Sequence, residues 1–117
     1  MANLTEVVRG LAERHGVEAV LVLSADGLPI EHAASGSFDA ESLAALTATL
    51  VQYATRLGSG AGRGALRNAV IEYERALLII AQIGVGDCLA IVAAPEADVG
   101  PLLYDLRQYR PALAALL

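Results

Sequence analysis

The chain has 117 residues and a mass of 12.1 kDa, which is room for one domain with a real core and no second one. Apolar residues make up 56% and charged residues only 18%, a balance that excludes intrinsic disorder. Net charge is −5, every cation is an arginine and tryptophan is absent, so nucleic acid is the wrong partner on both electrostatic and stacking grounds.

In chain order, Leu4, Val7, Val8, Leu11 and Ala12 follow the spacing of an amphipathic helix over 4–15. Asn3 and Glu6 resemble a capping box, and Gly16 stands where a helix stops. The run from Val17 to Leu23 is nearly continuous and rich in branched side chains, as in a strand covered on both faces. Asp26-Gly27 signals a hairpin turn into a return strand over 28–33, whose Pro29 places it at a sheet edge.

Asp39 is a good N-cap for a long helix over 40–58. At 100° per residue this helix carries two apolar faces. Leu43, Leu46, Leu50, Tyr53 and Leu57 form a face of large side chains; Ala44, Ala48, Val51 and Thr55 form one of small side chains. Thr49, Gln52, Arg56 and Ala45 remain as a polar stripe. One apolar face can cover the chain's own sheet. The other needs a partner, and small residues would let a second backbone come close.

Residues 58–64, with four glycines, form a flexible connector. Three strands follow: 66–73, alternating and half exposed; 76–81, central; and 88–93, reached through the turn at Gly84–Asp87. Pro95 breaks the sheet and a last helix starts near 97, with Val99, Leu102, Leu103 and Leu106 inward and Pro111 expected to kink or end its first part. Hairpin connections make the sheet antiparallel.

Most motifs that could carry chemistry are excluded by order or spacing. The glycine run follows a helix and precedes a strand, and the chain has no lysine, so it makes neither a P-loop nor a dinucleotide fingerprint. His15, His32 and Cys88 are dispersed over different elements and do not make a zinc set. Cys88, beginning an apolar strand, reads as a buried inert thiol. Glu72 and Glu74 read as a solvated turn beside Arg75, not as an acid–base pair. No enzymatic activity, cofactor or metal is expected. No apolar stretch approaches the ~18 residues that span a bilayer. The first residues lack a basic or secretory region and the single cysteine suits a reducing compartment, so a cytoplasmic location without direct membrane insertion is expected. The high mean hydropathy, +0.53, points to self-association.

The segments Val20-Leu21-Val22-Leu23-Ser24-Ala25-Asp26-Gly27-Leu28-Pro29-Ile30, Ala69-Val70-Ile71-Glu72-Tyr73, Asp87-Cys88-Leu89-Ala90-Ile91-Val92-Ala93 and Asp98-Val99-Gly100, in that order, resemble the roadblock/dynein light chain family across essentially the whole chain. Bacterial single-domain members are most similar in character, including those acting with gliding-motility small GTPases and those of actinobacterial signalling operons. The resemblance implies an α+β, roadblock/profilin-like domain over 1–117, in the order helix-strand-strand-helix-strand-strand-strand-helix. Its five-stranded antiparallel sheet would carry the long middle helix on one face and the terminal helices on the other. It also implies a homodimer in which third strands pair and long helices pack antiparallel. Ala44, Ala48, Val51 and Thr55, with Leu66, Arg67, Asn68, Ala69 and Val70, are the interface residues expected from these two readings together. Family resemblance further implies non-enzymatic regulation of a small Ras-like GTPase, mainly by reorganising its switch loops through the helix-pair surface of the dimer, where an arginine need not be donated, or else a nucleotide-indifferent scaffold or adaptor role in a larger signalling or motility complex. Thr49, Gln52 and Arg56 are the expected partner-contacting stripe, with Arg56 the candidate for a trans-acting arginine. A ligand-sensing module is the third reading, disfavoured because the pattern lacks convergent polar groups.

Overall fold

The first helix, α1 (Leu4–Ala12), begins where the sequence puts it. In the computed structural model, which describes residues 3–117, the Asn3 side chain accepts the Glu6 N–H at 2.9 Å. Met1 and Ala2 of the expected domain lie outside the described residues. The helix ends at Ala12 rather than 15, and Gly16 takes φ 84° and offers its carbonyl to the Ala94 N–H at 2.7 Å.

Seven elements follow: β1 (Val17–Leu23), β2 (Pro29–Ala34), α2 (Ala40–Gly60), β3 (Asn68–Glu72), β4 (Leu77–Gln82), β5 (Cys88–Ala93) and α3 (Val99–Ala115). The strands form one antiparallel sheet in the order β2-β1-β5-β4-β3. The β3–β4–β5 meander therefore docks against β1 of the first hairpin, and β2 and β3 are the two edges. This order explains the apolar runs. β1, β4 and β5 have neighbours on both sides and helices on both faces, whereas β2 and β3 alternate between half-buried and exposed positions.

The core has two layers. Val20, Val22, Ile79, Leu89 and Ile91 point to the face covered by α1 (Val8, Leu11) and α3 (Leu102, Leu106, Leu113). Leu21, Leu23, Ile80, Cys88 and Ala90 point to α2. Each large side chain fully withdrawn from water here stabilises the fold by about 1.5–3 kcal/mol.

Two expectations are corrected. α3 does not end at Pro111; the helix runs on to Ala115. Pro111 is solvent-exposed, so its ring meets no packed neighbour, while Leu113 two residues later is fully buried and anchors the final turn. The second correction concerns the rotation of α2. Its small-residue face lies on the chain's own sheet, not toward a second chain: Ala44 is 0% exposed, Val51 is buried and Ala48 is half-buried. Close approach is the physical reason. The β1–β2 turn passes beneath the helix at Gly27, where a Cβ would stand 3.2 Å from Ala45 Cα and 3.3 Å from Ala48 Cβ. Leucines would hold the helix off the turn; alanines let it settle.

Candidate interaction surface

Rotating α2 in this way turns its large side chains outward. Leu46 is 64% exposed, Tyr53 62% and Leu57 75%, with Leu43 and Leu50 at about half those values. These five residues form a stripe about 115° round the helix from the centre of its buried arc. It lies on the flank opposite the β1–β2 turn, which touches Ala45 and Ala48. The exposed surface of the whole chain is 7007 Å², about a sixth more than the ~6,000 Å² that size scaling gives a folded monomer.

β3 offers an open edge. Its Arg67 and Tyr73 ends bond β4 through Gln82 N–H to Arg67 carbonyl (3.0 Å) and Tyr73 N–H to Ala76 carbonyl (2.8 Å). Alternation then turns the backbone groups of Asn68, Val70 and Glu72 away from β4. Leu66 and Ala69 are half-buried against the α2 layer, Arg67 is exposed, and Val70 is 45% exposed on the opposite face. The Asn68 side chain accepts the Arg110 guanidinium at 2.8 Å, tying α3 to this edge.

Thr49, Gln52 and Arg56 are all exposed on one flank of α2. The Thr49 hydroxyl is spent on the Ala45 carbonyl of its own helix at 3.1 Å. Arg56 lies over the Tyr53 ring, 5.4 Å from its centroid, so the polar stripe and the apolar stripe meet there. Thr55 is exposed and faces, with Gln52 and Arg56, an open cavity of about 340 Å³ between α2 and the two turns at Ser24–Ala25 and Gly86. Leu23, Ala48, Val51 and Cys88 form its apolar floor. A further apolar region, to which nothing in the sequence pointed, lies across the polar stripe: Leu28 is 63% exposed at the turn under Ala45, and Ile30 follows on the edge strand.

Cys88 is buried, and burial, then the nearby Asp87 charge, push its thiol up to about 11, so it stays protonated at neutral pH. Its Sγ donates to Gln82 Oε1 at 3.5 Å. His15 lies in the turn between α1 and β1 and His32 on β2, the latter against the Phe38 ring at 5.8 Å. Among the described residues, no three His, Cys, Asp or Glu side chains are placed to hold a metal ion, and no helix is long and apolar enough to cross a membrane.

The layering of one long helix against one face of a five-stranded antiparallel sheet, with two terminal helices on the other, defines a small α+β module of the roadblock type. The chain belongs to the Roadblock/LC7 domain family, whose model matches residues 4–93, from α1 to the end of β5. It is similar to a Roadblock/LC7 domain from Streptomyces avermitilis at 30% identity, covering 96% of this chain and 98% of that one, with a TM-score of 0.83. The gliding protein MglB from Thermus thermophilus is 21% identical over 95% of this chain and 85% of its own, with a TM-score of 0.85. MglB from Myxococcus xanthus is 19% identical over 98% and 97%, with a TM-score of 0.86. Among curated proteins, none matches the sequence.

Proposed function

We propose that the chain is a non-enzymatic regulator of a small Ras-like GTPase that works as a homodimer in the cytoplasm. The observation that carries this reading is the exposed stripe Leu43, Leu46, Leu50, Tyr53 and Leu57 on the flank of α2 away from the β1–β2 turn, in a sheet whose β3 edge is open. A monomer has no use for that much contiguous apolar surface. Pairing β3 with β3 of a second copy about a two-fold axis would satisfy the outward groups of Asn68, Val70 and Glu72 and bring the two α2 helices side by side. The interface then consists of the large stripe with Leu66 to Val70, in place of Ala44, Ala48 and Val51.

Such a dimer would present two copies of the Thr49–Gln52–Arg56 flank on one surface, the place for a GTPase to dock. Regulation by contact needs no reacting group, which suits a chain whose one thiol is buried and held protonated. Arg56, packed on Tyr53, is positioned to be steered by the dimer interface itself. A nucleotide-indifferent scaffold in a larger complex is the second reading, favoured by Leu28 and Ile30, which give the partner flank an apolar margin of its own.

Affinity capture from native lysate, run once with GTPγS and Mg²⁺ and once with GDP, tests the choice. A small GTPase retained in one nucleotide state is the expected result. Equal retention in both states, or retention of unrelated proteins alone, overturns the GTPase reading in favour of the scaffold. Light scattering at micromolar concentration tests the dimer separately, and a monomeric mass refutes it.

A further inference from the structure

The two edges of the sheet are treated differently. On β2, Ser35 N–H bonds the Glu18 carbonyl at 3.0 Å, so alternation turns the N–H groups of residues 31 and 33 toward β1 and those of His32 and Ala34 outward, while Ile30 is the extra residue of a bulge opposite Val22. Pro29 has no N–H to offer. One of these outward donors, His32, is already occupied: Glu31 Oε1 accepts it at 3.1 Å. Oε2 of the same carboxylate accepts the Thr5 hydroxyl, from the first turn of α1, at 2.7 Å. Glu31 pairs in register with Val22, on the α1 side of the sheet, so its carboxylate reaches round the strand edge. The Thr5 hydrogen bond, and after it the His32 N–H, hold the Glu31 carboxyl below its ordinary range, so it is charged throughout the neutral region. On β3, no side chain among the described residues accepts a hydrogen bond from Asn68, Val70 or Glu72 N–H.

We infer that the Glu31 carboxylate, held by Thr5, is a guard that keeps the β2 edge from pairing with β2 of another copy of this chain. Antiparallel pairing centred on His32 needs that residue's N–H, which the carboxylate occupies. It would also set the two Glu31 side chains diagonally across the seam on one face, each opposite Ala33 of the other copy and about 7–8 Å apart, where like charges still repel. Without the guard, β2 has reason to pair. Ile30, 43% exposed, would gain burial, and the two outward donors, His32 and Ala34 N–H, would gain partners. The guard does not depend on the β3-paired homodimer, because it acts on the other edge.

The test is the weight-average mass of wild type and Glu31→Ala by light scattering over a range of concentrations, with circular dichroism to confirm folding. Whatever the wild-type mass, Glu31→Ala is expected to reach at least about twice that value with rising concentration. Adding Ile30→Lys, a charge on the same strand, is expected to restore the wild-type mass. An unchanged mass for folded Glu31→Ala overturns the guard, and so does a larger mass that Ile30→Lys leaves in place. Amide exchange on the wild-type protein reads the same bond without a variant. His32 N–H should exchange at least about tenfold more slowly than Ala34, its outward neighbour; equal rates for the two would also overturn the inference.

Discussion

Replacing Gly27 by alanine tests the rotation of α2 most directly. Gly27 has φ 82°, where a side chain costs roughly 1–2 kcal/mol of backbone strain. The new methyl would also stand 3.2 Å from Ala45 Cα, 3.3 Å from Ala48 Cβ and 3.6 Å from the Ala44 carbonyl oxygen. Two of those three atoms are helix backbone, which can yield only if α2 lifts, and overpacking of this kind costs about 1–3 kcal/mol. Together the loss is roughly 2–5 kcal/mol. With an unfolding entropy near 0.25 kcal/mol/K for a chain of this length, Tm should fall by about 8–20 °C. Thermal unfolding followed by circular dichroism measures this, with Gly10→Ala as the control. Gly10 lies inside α1 with nothing within 4 Å of its added Cβ, so that change should raise Tm by a few degrees. If Gly27→Ala melts within about 2 °C of wild type, the alanine face does not lie on the turn, and the outward stripe of leucines loses its basis.

Leu46→Glu should leave the monomer fold intact, because the side chain is 64% exposed, yet halve the mass seen by light scattering; an unchanged dimer mass would place the seam elsewhere. Cys88 should resist alkylation at pH 8 in the native state and react on unfolding, since its thiol pKa is about 11 when folded. The raised value favours the protonated fold, so that contribution is intact below the ordinary pKa of 9.0 and lost as pH rises toward 11. Relative to Cys88→Ala, wild type should therefore lose Tm between pH 9 and 11, and parallel curves would contradict the burial argument. Pro111→Ala should raise Tm by several degrees, because it restores a helix donor at an exposed position in an unbroken helix; a fall would mean that Pro111 terminates α3 after all.

The architecture was legible because its signals are local. Asn3 and Asp39 cap the helices that they precede, the latter accepting Ser42 N–H at 3.1 Å, and Gly27 turns the first hairpin. Pro29 marks an edge strand that the sheet order places at the edge. What periodicity could not give is which of two apolar faces points inward. A helical wheel separates Ala44 and Val51 from Leu46 and Leu57, but large side chains are the ordinary choice for a core. Only the depth of the β1–β2 turn beneath the helix reverses that preference, and depth is set by contacts between residues far apart in sequence. The Glu31 contact escaped for a similar reason. Thr5 and Glu31 are 26 positions apart, and a lone acid on an edge strand looks like any solvated charge. Pro111 misled because its effect depends on whether the turn around it is packed, which composition does not record.

The contrast between the ends of the sheet sets a valence. A sheet open at both ends is a monomer in the polymer chemist's sense, able to add without limit. One guarded at His32 on β2 and bare at β3 would form a single bond of this kind. Two such molecules joined through their bare ends present only occupied ones, and growth stops with the product. On the inference drawn above, the side chain of one acidic residue on the far strand decides whether the same fold counts to two or keeps counting.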